Sequence, residues 1–317
     1  MAALVISKSE RNIIHRHYKY TLEKLQRLHS GTPEVVVFFL GGSLPIGGIL
    51  DMRQLSLFGM ICQLEDSNLL YKVAHSTLSR PTVPTKSWFM QIQRLCTQYN
   101  LPDPLTLLLN PPSKPVFKKL IKSRIYSFWE EKLRGQVPEL SSLTFFLPQF
   151  YSLAKPHPIW STAGNNPYEV QKATCQAQML SGRYRTCWLS RHWSSDKSGF
   201  CSLPSCCSDH GTPGTLSHIL LDCVDLAPAR SRCFKLWNDY LIDKPYLFNV
   251  VKHYTIGSSI QSQTQFLLDC SVLPDVIELK QKFGLIALEQ LFYLTRTLCF
   301  SVHKMRCKLL GTWITEK

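Results

Sequence analysis

Between Cys201 and Cys223 the chain reads CSLPSCCSDHGTPGTLSHILLDC, which sets four ligand-type side chains in the order Cys201, four residues, Cys206, eleven residues, His218, four residues, Cys223. Zinc takes four soft or borderline ligands at the corners of a tetrahedron, and Cys3His is one of its standard closed structural sets. The first pair flanks Leu203-Pro204-Ser205, a tight loop that can aim two thiolates at one point. The second pair follows Thr215, a good N-cap, so the spacing predicts a helix over 216–223 that Pro228 stops. Cys223 lies five positions after His218, so both reach one metal at that helix's N-terminal end only if its second turn is distorted. Spacing does not choose between Cys206 and Cys207, and His210 is a weaker substitute. Four good ligands leave no open position for water, which makes the expected zinc a structural cofactor that helps to fold a small module. The competing reading, ordinary buried thiols among the twelve cysteines of the chain, has to treat the ligand order as coincidence.

A formal net charge of +14 over 317 residues is the strongest global signal, because a Lys and Arg surplus concentrates polyanions, nucleic acid foremost. With 44% hydrophobic and 18% charged residues the chain is expected to fold, into two or three units. No window approaches the ~18 unbroken apolar residues of a membrane span, so no membrane partner is expected. The opening MAALVISKSERN is too short in apolar residues for a secretory signal. The expected location is nuclear or cytoplasmic, where cysteines serve as buried thiols and a metal site rather than as disulfides.

The hydrophobic patterning is mainly helical. Residues 9–29 place Ile13, His17, Leu22, Leu25 and Leu28 on one side, whereas VVVFFL at 35–40 fits strand or helix. Gly41, Gly42, Pro45, Gly47 and Gly48 read as a turn-rich loop. Helices are expected over 50–64, 69–78, 88–99 behind a Ser87 cap, and 105–109. VFKKLIKSRIYSFWEEKLRG makes a basic amphipathic helix, with Val116, Leu120, Ile121, Ile125, Phe128 and Leu133 on one face and Lys118, Lys119, Lys122 and Arg124 around it. Asn166-Pro167 opens another. In SGRYRTCWLSRHWS, Arg183, Arg185 and Arg191 alternate with Tyr184, Trp188 and Trp193, so that guanidiniums can neutralise phosphates while rings offer stacking planes. The competing reading is a core helix with Trp inward and Arg merely coating it. Residues 227–240 are expected to point Arg230, Arg232 and Lys235 outward, and one long helix is expected from Pro274 to Leu310. These patterns divide the chain into a helical region 1–154, a zinc-binding module 155–245 and a helical tail 246–317.

At LHSGTPEVVVFFLGGSLPIGGILDMRQLSLFGMICQL, LSGRYRTCWLSRHWS and CSLPSC…GTLSHILLDC the chain resembles the carboxy-terminal part of non-LTR (LINE-type) retrotransposon reverse transcriptases, from the thumb helices into the zinc-binding domain. The resemblance implies a thumb-like helical bundle for the first region, a helix for VVVFFL, and Cys201, Cys206, His218 and Cys223 as the metal ligands. It places Arg183 and Arg185 in the basic lead-in, within a region thought to hold template RNA or target DNA near the polymerase.

A polymerase palm needs paired aspartates for two metal ions, and no Asp-Asp pair occurs in the sequence. The expected function is therefore non-enzymatic binding of RNA or DNA by Arg183, Arg185, Arg191, Lys118, Lys119 and Lys122, with Trp188 and Trp193 as stacking platforms and a reverse transcriptase supplied in trans as a further partner. The alternatives are a protein-docking module, a functionless retroelement remnant, or a restriction-like endonuclease tail using Asp269, Asp275, Glu278 and Lys280. Against the nuclease stand Pro274 and Asp275, both favoured at the start of a helix.

Overall fold

The computed structural model describes residues 6–80, 87–190, 199–207 and 211–311. In chain order its helices are α1 (Lys8–Leu25), α2 (Glu34–Gly41), α3 (Ile46–Ile61), α4 (Leu69–Leu78), α5 (Trp88–Gln98), α6 (Pro104–Leu109), α7 (Lys114–Arg134), α8 (Pro158–Ser161), α9 (Pro167–Leu180), α10 (Cys187–Ser190), α11 (Pro204–Cys207), α12 (Ala227–Leu241), α13 (Pro245–Lys252), α14 (Ile260–Leu268), α15 (Pro274–Phe283) and α16 (Leu285–Leu309). Among the described residues there is no strand, only an isolated bridge between Phe200 and Pro213. The fold is mainly α. Its helix starts obey local chemistry. Asn68, Ser87, Asp103 and Asn166 each accept a backbone N–H two residues on, at 2.9, 3.2, 2.9 and 2.9 Å, and proline fills the first turn of α6, α7 and α9, where its missing N–H costs nothing.

The chain divides into two compact units, neither of them one contiguous stretch; residues 156–317 all fall in the second. The first comprises Met1–Leu22, Gly42–Pro138 and Ser152–Lys155. Here α3 and α7 pack along each other. Gly47 and Gly48 belong to α3 rather than to a loop, because the indole of Trp129 lies against them. A Cβ on Gly48 would sit 2.7 Å from its Nε1. That Nε1 donates to the Tyr99 hydroxyl (3.2 Å), which donates to Asp51 (2.7 Å), and Arg11 closes the chain of bonds on the same carboxylate (2.7 Å). Phe117, Ile121, Ile125 and Leu133 form the buried face of α7, while Val116, expected to be inward, is exposed. On α1, Ile13, His17 and Leu25 are likewise exposed, since periodicity marks a face without supplying a partner for it.

The second unit comprises Glu23–Gly41, Glu139–Tyr151 and Pro156–Lys317. VVVFFL is helical and buried on every side within α2, which Gly42 ends at φ +59°. α16 is the central helix, with α9, α12, α14 and α15 packed on it and Leu288, Leu291, Phe292, Leu298 and Val302 buried along it. It has the length and mean hydropathy (1.3) of a membrane span, with 61% of that window buried inside the protein. The expected continuous helix over 274–310 is two helices. Gly284, at φ +73°, breaks it, a backbone conformation glycine adopts at no steric cost. A buried polar knot ties loops to this core. Tyr151 donates its hydroxyl to Asp269, His157 Nε2 lies 3.4 Å from the same oxygen, and Ser271 donates to the other at 2.6 Å.

Candidate metal centre

The loop that carries the first cysteine is pinched shut by backbone pairing. Cys201 N–H donates to the Thr212 carbonyl oxygen and Gly214 N–H to that of Gly199, both at 2.9 Å. Gly214 is required at this crossing, since a Cβ there would lie 2.7 Å from the Cys187 Cβ and 3.3 Å from the Cys201 backbone. Leu203 is buried and anchors the turn into α11, and Cys206 N–H donates to its carbonyl (3.1 Å). Asp225 grips the same turn, accepting from Ser205 N–H at 2.9 Å and from its hydroxyl at 2.5 Å.

On the other side, Thr215 begins the helical segment as its sequence suggests, its Oγ1 accepting the His218 N–H at 3.2 Å. The segment then widens into a π-helical turn over His218–Asp222, closed by Cys223 N–H donating to the His218 carbonyl at 2.8 Å. This is the distortion the five-position spacing demands, and the expected regular helix over 216–223 is corrected accordingly.

These elements bring Cys201, Cys206, His218 and Cys223 together, with all four ligand atoms within 4.8 Å of one another. Cys206 Sγ stands 3.5 Å from Cys223 Sγ and 3.6 Å from His218 Nε2. A tetrahedral site with Zn–S about 2.3 Å and Zn–N about 2.0 Å has S–S edges of about 3.8 Å and S–N edges of about 3.5 Å. The four side chains are thus close enough to hold one metal ion, in a donor set compatible with zinc. Cys207's side chain and His210 lie outside the described residues. Comparison with protein-family models, with curated proteins and with solved structures finds no match for this chain.

Cys201, His218 and Cys223 are buried, so the centre is closed to solvent. Burial pushes the Cys223 thiol up to about 12 and raises that of Cys201, while it holds the His218 imidazole below its ordinary value. A neutral imidazole is the ligating form, whereas each thiol must give up its proton as metal enters. Arg230, expected on the outer face of α12, is instead buried, with Nη2 donating to the Cys223 carbonyl at 2.6 Å. Burial depresses its guanidinium, and the neighbouring Cys223, Asp222 and Cys206 act in the opposite direction. Sequence reasoning missed Arg230 and Asp225, because neither is a ligand and both are residue types assigned to surfaces by default.

The expected nucleic-acid residues are only partly placed. Lys118, Lys119 and Lys122 are exposed on α7 in the first unit, with Lys122 Nζ 5.6 Å from the Tyr126 ring. In the second, Arg185 is exposed, Arg183 is half-buried and Tyr184 is buried against His303. The side chain of Trp188, on α10, and residues Arg191 and Trp193 lie outside the described residues. Of the acidic residues named for a nuclease, Asp269 is fully buried with both oxygens taken, and Asp275 and Glu278 are exposed on α15.

Proposed function

We propose that Cys201, Cys206, His218 and Cys223 hold one structural zinc ion, and that the module so closed binds RNA or DNA without catalysing a reaction, in the manner of the detached tail of a retroelement reverse transcriptase. The observation that carries this is the convergence of three thiols and one imidazole, with all four ligand atoms within 4.8 Å of one another. Zinc would supply folding free energy by tying the 201–206 loop to the 218–223 turn, since the metal-bound site does not exist in the unfolded chain. The nucleic-acid half of the proposal is supported by the net charge of +14 and by exposed Arg185, Lys118, Lys119 and Lys122.

The test is zinc content per purified chain, read together with RNA and single-stranded DNA binding over a salt series before and after chelation. About one zinc per chain, with salt-sensitive binding that disappears on chelation, is the expected result. Metal without salt-sensitive binding would sink the nucleic-acid reading in favour of protein docking. That second reading has its own observation, a cavity of about 130 Å³ lined by Phe234, Trp237, Leu241, Phe248 and Val251 with the exposed Ile256 at its edge. Absence of metal would remove the centre itself.

A further inference from the structure

A buried cation stands beside the four ligands, and the carboxylate that acts on it, Asp222, is exposed. Arg230 is only 8% exposed. Its Nη2 donates to the Cys223 carbonyl oxygen at 2.6 Å, while Nη1 finds no hydrogen-bond partner among the described residues. None of the ion pairs among the described residues engages it. A buried charge without a counter-charge is costly. Such a group is retained where its counter-charge arrives with something else. Besides the exposed Asp222, the groups that act on it are Cys223 and Cys206, whose thiols are neutral until a metal displaces their protons.

We infer that Arg230 is the counter-charge of the loaded metal centre and so sets the charge class of the ion the site accepts. The inference rests on the metal centre proposed for Cys201, Cys206, His218 and Cys223. When a divalent cation enters, the Sγ–H protons of the three cysteines pass to solvent, and three thiolates with a neutral imidazole leave the complex with one net negative charge. One guanidinium cancels it, in a site too enclosed for solvent to do so. A monovalent cation in the same ligands would leave two negative charges against one positive. Asp225, the nearest acidic residue in sequence, is taken up by Ser205, and Asp222 is exposed. The bond from Nη2 to the Cys223 carbonyl also fixes the backbone from which one ligand projects, so Arg230 is a positioning residue as well.

The experiment titrates the full-length chain with Co²⁺, followed by Zn²⁺ competition, for the wild type, Arg230→Gln and Arg230→Lys. Thiolate-to-cobalt charge-transfer bands report ligation, and the melting temperature of each metal-free protein is measured alongside. Gln keeps a donor for the Cys223 carbonyl but removes the charge. It is expected to weaken both metals by about 10–100-fold while leaving the metal-free protein at least as stable as the wild type, because the uncompensated buried charge is gone. Lys keeps a point charge and is expected to bind within about fivefold of the wild type. Equal affinity in Arg230→Gln overturns the inference. So does an Arg230→Lys protein as weak as Arg230→Gln, because geometry rather than charge would then be limiting, or a metal-free Arg230→Gln that loses as much stability as the loaded form. Should Arg230→Gln not fold, the Lys variant decides alone, since retained affinity sustains the role and a loss beyond about tenfold ends it. Absence of charge-transfer bands in the wild type would overturn the metal centre itself, a failure distinct from unchanged affinity in the variants.

Discussion

Cys223 donates its backbone N–H to the carbonyl oxygen of His218, five positions earlier, at 2.8 Å, and this one bond lets the two side chains face the same point. In a regular helix each residue turns about 100°, so the extra residue in the π-helical turn re-aims Cys223 toward Cys206. Deleting the exposed Asp222 places the two ligands four positions apart, where a regular helix already turns them to one face and the π turn is no longer needed. The expected outcome is bound metal kept near one per chain, measured by elemental analysis, with far-ultraviolet circular dichroism largely preserved. A fall to well below half would show that the π turn sets more than the facing of these two ligands.

The same cluster sets a pH dependence. Burial raises the Cys201 thiol and pushes that of Cys223 up to about 12, so in the metal-free protein both are protonated at neutral pH. Metal binding exchanges those protons for the ion, and affinity therefore rises with pH and falls with acid. A plot of log affinity against pH between about 6 and 8 should climb with a slope of about three, one for each thiol deprotonated. A flat plot would mean that thiolates are not the ligands.

Gly214 tests the loop independently. A Cβ there meets the Cys187 Cβ at 2.7 Å and the backbone of Cys201 at 3.3 Å, and backbone cannot step aside as a flexible side chain can. Gly214→Ala should push Cys201 off its position and lower Co²⁺ affinity by about tenfold or more, whereas Gly31→Ala, which meets nothing within 4 Å but is strained at φ +77°, should cost stability without touching the metal.

Away from the metal, Asp269 is the residue on which the second unit's buried polar bonds converge. Burial pushes its carboxyl up, but the His157 ring, Ser271 and Tyr151 overcome that and leave it below the ordinary value of 3.8. A carboxyl depressed in the folded state contributes stability that is present above its unfolded value and lost as pH falls through the folded one. Acid unfolding should therefore include a limb below about pH 4 that Asp269→Asn abolishes. At pH 7 the same substitution should cost about 3–5 kcal/mol in urea melts, and Tyr151→Phe about 1–3 kcal/mol.

The parts of this molecule that were legible in the sequence are those fixed by local chemistry. Ser87 and Asn166 cap helices where their side chains indicate, and the ligand order from Cys201 to Cys223 foretells the cluster. What stayed hidden depends on partners distant in sequence. VVVFFL carries no periodicity because all six side chains are buried, so only its surroundings decide that it is a helix. Gly284 sits between two stretches of the same amphipathic pattern, and a lone glycine does not announce whether it will be tolerated or will break the helix. Arg230 reads as a surface residue because arginine is rarely buried, and the exception arises from the Cys223 carbonyl, which its own helix does not supply. Gly47 and Gly48 read as loop for the same reason, since the indole they accommodate belongs to Trp129.

Phosphate binding must show in the salt dependence rather than in affinity alone. Each phosphate neutralised adds about 0.7–0.9 to the slope of log affinity against log salt. Lys118, Lys119 and Lys122 are exposed along one helix, and Arg185 is exposed ahead of the metal cluster, so all four can be reversed with little effect on the fold. Lys118→Glu/Lys119→Glu/Lys122→Glu should reduce the slope by about two and weaken RNA and single-stranded DNA alike at low salt, because phosphate contacts carry no base preference. Arg185→Glu should reduce it by about one. If both variants kept the wild-type slope while metal content stayed at one per chain, the basic surface would have no part in binding, and the apolar cavity beside Trp237 would become the place to look for a partner.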